Sequence, residues 1–190
     1  MDDLELFRNI INQKINLSDS EAEIIVSTLK HKSYKSNTLL LSSGETCKYI
    51  YFVLKGCVRT YYISSKGDER TRRISFEGQL NTVFTSFVAQ APSSELMETL
   101  EDSDILLMGY HDFYSLVDQI PAWETFYRKN LEEAFIYQNI KIKSLMTLSA
   151  GQRYQMVLTE TPHYLQRLSN RVLSTYLNIS QETLSRLKSK

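Results

Sequence analysis

The chain has 190 residues, of which 42% are apolar, and its 22 basic and 22 acidic side chains give a formal net charge of zero. This length and composition predict a globular protein of one or two domains. No stretch approaches the roughly eighteen uncharged apolar residues of a membrane-spanning helix, and the acidic beginning of the chain differs from a secretory signal, so we expect a cytoplasmic protein with no membrane partner.

Two helices are predicted before residue 30. The first has apolar residues at helical spacing, which are Leu4, Phe7, Ile10, Ile11 and Ile15. Residues 17–21 then form a pattern typical of a capped helix start, because Ser18 and Glu21 can satisfy the first free amides of a helix. The apolar residues of the second helix are Ala22, Ile25, Val26 and Leu29.

From about residue 33 to residue 110 the pattern changes to strands. Gly44, Gly56, Gly67 and Gly78 recur at intervals of twelve, eleven and eleven residues. The β-rich runs between and after them cover residues 38–41, 49–54, 58–63, 71–76 and 103–108. Turn glycines at this spacing predict an antiparallel sandwich or barrel. Residues 79–100 fit no single element, although 82–89 suit a short helix and 90–94 a loop.

A short helix is predicted over residues 111–121, and the following stretch from Trp123 to Leu148 contains neither glycine nor proline. A helix of about 26 residues would extend roughly 39 Å at about 1.5 Å per residue. Its residues at coiled-coil spacing are Leu131, Phe135, Gln138, Ile142 and Leu145. We therefore predict a dimerisation helix. The alternative is a long helix that packs on its own β domain.

Residues 149–152 interrupt this helix, and a C-terminal helical region follows. Within it, residues 171–190 contain two short amphipathic stretches separated by a turn at Asn178. Asn178 suits the turn because asparagine tolerates a left-handed backbone. Ser180 suits the N-cap of the second stretch, and the helix dipole favours Glu182 in its first turn. The pattern is typical of a helix-turn-helix.

One face of the second helix would present polar side chains to solvent. Its members are Gln181, Glu182, Ser185 and Arg186. Gln and Arg are the side chains best suited to bidentate contacts with adenine and guanine edges in the major groove. Residues 163–190 carry five basic and one acidic side chain, which favours attraction to phosphates, and we assign Lys188 to the DNA backbone. The alternative is a helical hairpin that only closes a domain.

The order of these elements resembles that of the Crp/Fnr family of bacterial transcription regulators. The most specific part is Ile179–Leu187, which is similar to the family's recognition helix. Tyr51–Arg59 is similar to a strand–glycine–strand element of its β-roll, and residues 151–158 and 162–168 are similar to a branch of short regulators.

This resemblance implies an α+β fold with a jelly-roll effector domain like a cyclic-nucleotide-binding domain, a long dimerisation helix and a DNA-binding domain. These regions would cover residues 1–115, 116–148 and 149–190. The protein would be a homodimeric regulator that binds an inverted-repeat operator in double-stranded DNA. Gln181, Glu182 and Arg186 would contact base edges. Ser169 and Ser180 would lie at helix starts that contact phosphates. RNA polymerase and a small-molecule effector are further partners that the resemblance suggests.

The predicted effector pocket departs from the family pattern. Members that bind cyclic nucleotides have a Gly-Glu-Leu turn before a short helix and a later Arg-Ser pair, which together hold the phosphate and the ribose. Here the turn becomes residues 82–84, or residues 78–80 in a second register, and serines replace the pair in both. The candidate pocket residues are Thr82, Val83, Phe84, Ser93 and Ser94. Because the phosphate arginine is missing, we predict that cyclic AMP does not bind with useful affinity.

Enzymes and other binding proteins are the competing classes. A cupin-type metalloenzyme would share the roll, but it needs several histidines and a carboxylate around one metal. The three histidines are scattered, and His31 and His111 lie outside the predicted strands. Cys47 and Cys57 are expected to fill the core rather than to form a redox switch. We therefore expect no metal, no cofactor and no catalytic residues. The remaining alternative is a ligand-sensing or interaction module whose helix no longer reads DNA.

Overall fold

The structure is a computed structural model that describes residues 3–189 of the chain. Lys190, one of the five basic residues of the C-terminal segment, and the side chain of Leu4 lie outside the described residues. The chain divides into two compact units. The roll unit comprises Met1–Thr60 and Ile74–Glu132, and the C-terminal unit comprises Tyr61–Arg73 and Glu133–Lys190.

The described strands form two antiparallel layers. They are β1 (Lys30–Tyr34), β2 (Leu39–Leu41), β3 (Tyr49–Lys55), β4 (Val58–Ile63), β5 (Glu69–Ser75), β6 (Leu80–Asn81), β7 (Leu96–Thr99) and β8 (Ser103–Gly109). The strand order is β1-β8-β3-β6 in one four-stranded sheet and β2-β7-β4-β5 in the other. The pairs of β8 with β1 and β3, of β3 with β6, and of β2 with β7 are antiparallel. The predicted antiparallel β-roll is therefore confirmed.

The glycine turns have the backbone that their spacing predicts. Gly44, Gly56, Gly67 and Gly78 all have positive φ angles. Gly56, between β3 and β4, has a φ of +91°, and a Cβ atom there would lie 2.3 Å from Ser103 Oγ and 2.7 Å from the carbonyl oxygen of Asp102. Only glycine fits this turn without moving its neighbours.

The sequence patterns do not predict β7, because the strand is only four residues long and just two of them are apolar. Glu98 of β7 accepts hydrogen bonds from Nε and Nη2 of Arg59, both at 2.7 Å. Arg59 lies in β4 and is fully buried. An ion pair inside the roll thus places a fully buried charge in β4 opposite a partly buried carboxylate in β7.

The edge strand β1 is also absent from the predictions, because its sequence is polar and its residues are largely exposed. His31 lies in this strand, so the expectation that it lies outside the strands is wrong. Its Nε2 is 3.8 Å from Asp104 Oδ1 on β8. In the part of the chain that the structure describes, no three His, Cys, Asp or Glu side chains converge in a way that could hold a metal ion.

The first five described helices are α1 (Asp3–Asn12), α2 (Asp19–Ser27), α3 (Phe84–Ala89), α4 (Tyr110–Gln119) and α5 (Pro121–Thr147). The predicted capped start of α2 is confirmed, because Ser18 and Glu21 form a reciprocal capping box. Although α5 has 27 residues, none of the helices between residues 3 and 189 is apolar enough over a sufficient length to cross a membrane.

Aromatic side chains from the helices pack into the core of the roll unit. Phe7 of α1 meets Phe52 of β3 edge to face, with ring centroids 5.1 Å apart. Trp123 of α5 is fully buried, stacks on Phe126 and contacts Phe113 of α4. The first turns of α5 therefore pack on their own β domain, as the alternative reading of this helix expects. Cys47 and Cys57 are both buried free thiols, and neither lies in a strand.

The C-terminal unit contains the remaining described helices, α6 (Ala150–Glu160), α7 (His163–Arg167), α8 (Asn170–Leu177) and α9 (Gln181–Lys188). The predicted interruption over residues 149–152 is too long. Ser149 and Gln152 form a capping box, so α6 begins at Ala150 immediately after the serine. The buried apolar residues of the unit include Val157, Leu168, Val172, Leu173, Leu177 and Leu184.

Candidate nucleic-acid interface

A tight turn joins α8 to α9, and its backbone follows from one residue. Asn178 has φ +53° and ψ +50°, the left-handed conformation predicted for it. The N–H of Ile179 donates to the carbonyl oxygen of Ser174 at 3.0 Å. The N–H of Asn178 donates to the carbonyl oxygen of Thr175 over a longer distance of 3.4 Å. These are the two hydrogen bonds of a Schellman motif, which ends a helix and turns the chain.

Serine side chains cap both helices. Ser180 Oγ accepts a hydrogen bond from the N–H of Thr183 at 3.1 Å, and Ser169 Oγ accepts one from the N–H of Val172 at 3.2 Å. A serine hydroxyl that accepts a hydrogen bond still carries a proton that it can donate. Ser169 and Ser180, the two residues assigned to phosphate contacts, are therefore exposed at helix starts and chemically able to donate to an anion.

The packing of α9 determines which of its faces is exposed. Leu184 is fully buried in the C-terminal unit, as is Leu173 of α8. The four residues predicted to share the outward face are all exposed, and they are Gln181, Glu182, Ser185 and Arg186. The structure thus places on one exposed face of α9 the side chains that helical spacing predicts there.

The two basic residues of α9 have different partners. Arg186 Nη2 lies 3.2 Å from Glu182 Oε1, one helical turn away, and both side chains are exposed. An exposed pair of this kind contributes only about 0.3–0.5 kcal/mol, so Arg186 can exchange this carboxylate for another acceptor at little cost. Lys188 Nζ instead donates to Asn170 Oδ1 at 2.6 Å, which links the end of α9 to the first residue of α8.

Contacts with β5, which no local sequence pattern predicts, also fix the position of α8 in the C-terminal unit. Arg171 Nη1 forms an ion pair with Glu69 Oε1 at 2.8 Å, and the hydroxyl oxygens of Thr71 and Thr175 are 2.6 Å apart. Glu69 and Thr71 lie in β5, about one hundred residues before α8 in the sequence. Because the partners are so distant in sequence, only the folded structure identifies them.

The candidate effector pocket of the roll lies at the start of α3. Since α3 begins at Phe84, the turn that opens a short helix lies at residues 82–84 rather than at 78–80. Thr82 Oγ1 donates to the carbonyl oxygen of Tyr49 at 3.0 Å, and the side chain of Val83 is fully buried in the core. Phe84 is exposed.

The other two candidate pocket residues have different environments. Ser93 is buried, and its hydroxyl donates to the carbonyl oxygen of Glu95 at 2.9 Å, while Ser94 is exposed. The Ser93 backbone bonds to both Gly44 and Glu45. Ser93 therefore serves the loop in which it lies, and it carries no charge with which to hold a phosphate.

Comparison with known proteins agrees with this architecture. Residues 31–120 match the profile of the cyclic nucleotide-binding domain. This range extends from β1 to the end of α4. No curated protein sequence matches the chain.

Solved structures are similar over most of the chain. A protein from Eubacterium rectale, described as a transcriptional regulator of the Crp/Fnr family, has 16% identity and a TM-score of 0.72, over 90% of this chain and 82% of that chain. FixK2 from Bradyrhizobium japonicum has 18% identity and a TM-score of 0.75, over 85% of this chain and 83% of that chain. The c-di-GMP-responsive regulator CLP from Xanthomonas campestris has 16% identity and a TM-score of 0.70, over 90% of this chain and 89% of that chain. The chain has the fold of these regulators.

Proposed function

We propose that the protein is a sequence-specific DNA-binding transcription regulator of the Crp/Fnr type rather than an enzyme, and that it acts in the cytoplasm. The observation that carries the proposal is the exposed polar face of α9 on a capped helix that follows a Schellman turn. A helix presented in this way can enter the major groove, while the helix before it crosses the backbone.

The chemistry of the exposed face suits base reading. Gln181 and Arg186 can form bidentate contacts with adenine and guanine edges, and Glu182 can accept a hydrogen bond from cytosine. Lys188, Ser169 and Ser180 supply donors for phosphate oxygens, which position the protein but carry no sequence information. Ser185 lies on the same face, one turn after Gln181.

A homodimer is proposed because the middle of α5 exposes apolar side chains at coiled-coil spacing. Phe135 is 72% exposed and Ile142 is 53% exposed, and Leu145 is exposed as well. Leu131 and Gln138, the other members of the predicted seam, are partly buried. A second copy of α5 would cover this stripe by the packing of a coiled coil. Two α9 helices related by a twofold axis could then enter successive major grooves about 34 Å apart and read an inverted repeat.

We propose that cyclic AMP is not the effector of this roll. The proposal is supported by the uncharged Ser93 and Ser94 where the phosphate arginine is expected, and by Val83, whose side chain lies in the core. Without the arginine, a bound phosphate would lose a bidentate charge-assisted pair. A different small molecule as effector, and RNA polymerase as partner, belong to the same proposal.

Selection of bound sequences from a random DNA pool tests the function. The dimer should enrich a palindrome whose half-sites lie one helical turn apart, about 10 base pairs between their centres. The Arg186→Ala variant should lose the preference at one position of each half-site. A folded wild-type dimer that enriches no sequence would exclude DNA reading.

A specific observation favours the competing function, an interaction module that does not read DNA. Two basic residues of the C-terminal segment, Arg171 and Arg186, already pair with Glu69 and Glu182. If these pairs persist near DNA, neither guanidinium can bind a phosphate or a base edge. Retention of duplex DNA at low salt without any enriched sequence, or no retention at all, would support this alternative.

A further inference from the structure

A cavity of about 190 Å³ lies within the C-terminal unit, against α5, α6, α7 and α8. Its lining combines aromatic and apolar surfaces with two cationic side chains. The lining residues that matter here are Tyr137, Lys141, Arg153, Met156, Tyr164 and Tyr176. The cavity shares no residue with the candidate effector pocket of the roll, and none of its residues belongs to the exposed face of α9.

The first cation, Lys141 of α5, lines the cavity, and its ammonium group uses only part of its hydrogen-bonding capacity among the described residues. Its Nζ donates to the carbonyl oxygen of Tyr176 and lies 3.3 Å from the centroid of the Tyr176 ring. An ammonium group has three N–H donors, so two remain for another acceptor. No carboxylate among the described residues pairs with it. Burial of the ammonium, together with the positive charge of Arg153, lowers the pKa of Lys141 to about 7.

The second cation, Arg153 of α6, is bound only to backbone. Its Nε donates to the carbonyl oxygen of Leu177 at 3.0 Å, and its Nη1 donates to that of Leu148. Within residues 3–189 it has no carboxylate partner either. Glu160 also lines the cavity, but it forms an ion pair with neither cation.

The charges at the cavity therefore do not cancel. The carbonyl groups of Tyr176 and Leu177 belong to the C-terminal end of α8, which carries roughly half a negative charge. When Lys141 is charged, the two cations, the Glu160 carboxylate and the half charge at the end of α8 leave about half a unit of positive charge in a partly enclosed space. Desolvated charge without a counter-charge is costly, so an anion in this cavity would relieve a cost that the folded protein already bears.

We propose that the cavity binds a small organic monoanion whose carboxylate interacts with Lys141 and Arg153. The rings of Tyr137, Tyr164 and Tyr176 would pack against an apolar or aromatic body. At about 190 Å³ the cavity is smaller than the roughly 300–1,000 Å³ typical of ligand pockets, which selects compact molecules. Binding here does not depend on DNA reading, so either proposal can fail without the other.

Isothermal calorimetry with defined probes tests the site. The probes are benzoate, hexanoate, the neutral analogue benzamide, and inorganic phosphate. Wild-type protein should bind benzoate or hexanoate, and the Lys141→Met change should weaken this binding at least tenfold. Lys143→Met is the matched control, because Lys143 is an exposed lysine of the same helix outside the cavity lining, and it should bind as the wild type does. Benzamide should bind at least tenfold more weakly than benzoate.

The pH dependence gives a second measurement. Binding requires a charged Lys141 and an ionised probe carboxylate, so affinity should be nearly constant between about pH 5 and pH 6. It should fall up to tenfold per pH unit above pH 7, until the raised pKa of the complex is reached. The other charged groups that line the cavity are Arg153 and Glu160. Burial raises the pKa of Tyr137 and Tyr176, so these hydroxyls stay neutral in this range. Carbon-13 NMR of the lysine side chains should show a higher pKa for Lys141 when benzoate is bound.

Several results would overturn the proposal. Binding of phosphate without either carboxylate would indicate an inorganic anion, and binding that survives Lys141→Met unchanged would place the probe elsewhere. If the folded wild type binds none of the probes, the two cations serve only to cap the end of α8. If Lys141→Met does not fold, Lys141→Arg should retain binding but lose the fall in affinity above pH 7, and retention of that fall would contradict the assignment to Lys141.

Discussion

Arg186 and Lys188 lie two residues apart on α9, and their surroundings give them different roles. Among the described residues, Arg186 pairs with one exposed glutamate a helical turn away, so its guanidinium can turn to a base edge. Lys188 is held by Asn170 at the start of α8, where a flexible ammonium reaches a phosphate more readily than a base. At this scale the spacing of polar residues predicts which side chains are exposed, whereas the partner of Lys188 is visible only in the folded protein.

The two substitutions Arg186→Ala and Lys188→Ala should therefore have different effects on DNA binding. Loss of Arg186 should cost about 1–3 kcal/mol and relax the preference at one base position. Loss of Lys188 should weaken binding to all sequences alike and reduce the slope of log K against log salt by about 1. Fluorescence anisotropy with operator and scrambled duplexes at several salt concentrations measures both, and identical profiles for the two variants would contradict these roles.

The turn between α8 and α9 depends on the left-handed backbone of Asn178, and the cap at Ser180 begins the next helix. Both features follow from short-range chemistry, which is why the sequence alone predicts them. The contacts that hold α8 from outside, through Thr71 and Glu69 of β5, do not follow from any local pattern. A helix or turn is thus predictable where its residues interact with neighbours that are close in the sequence.

Asn178→Val should destabilise the protein by about 1–2 kcal/mol, because a residue with a Cβ branch is strained in the left-handed region. Asn178→Gly is the matched control and should be close to neutral, since glycine adopts this conformation without strain. Urea denaturation followed by circular dichroism measures the difference. Equal unfolding midpoints for the two variants would mean that the turn is not strained by valine.

At the scale of the whole molecule, the described part of α5 exposes an apolar stripe that a second copy could cover. Its exposed members are Phe135, Ile142 and Leu145. Phe135 is 72% exposed, whereas Trp123 at the start of the same helix is fully buried in the roll unit. The beginning of α5 therefore packs on its own β domain, whereas its middle is exposed and available for the dimer that we propose. Helical spacing predicts the stripe, but only the burial of each residue shows where the intramolecular packing ends.

Phe135→Asp should dissociate the proposed dimer. Each dimer would lose two buried phenylalanines at about 1.5 kcal/mol or more each, which raises the dissociation constant at least about a hundredfold. Ile136→Asp is the control, because Ile136 is 57% exposed on α5 but does not belong to the seam. Sedimentation velocity measures both variants. If they dissociate equally, or if the wild type is monomeric at high concentration, α5 is not the dimer interface.

The sequence by itself determined the features that depend on local backbone chemistry: the glycine turns of the roll, the uninterrupted α5, the capped start of α9 and the left-handed Asn178. Glycine, asparagine and serine have strong conformational preferences that act whatever the rest of the chain does. Tertiary structure alone decided the buried Arg59–Glu98 pair, the contacts of β5 with α8, and the placement of Lys141 and Arg153 beside one cavity. These depend on residues that are distant in sequence, because burial and charge pairing arise only when the chain is folded.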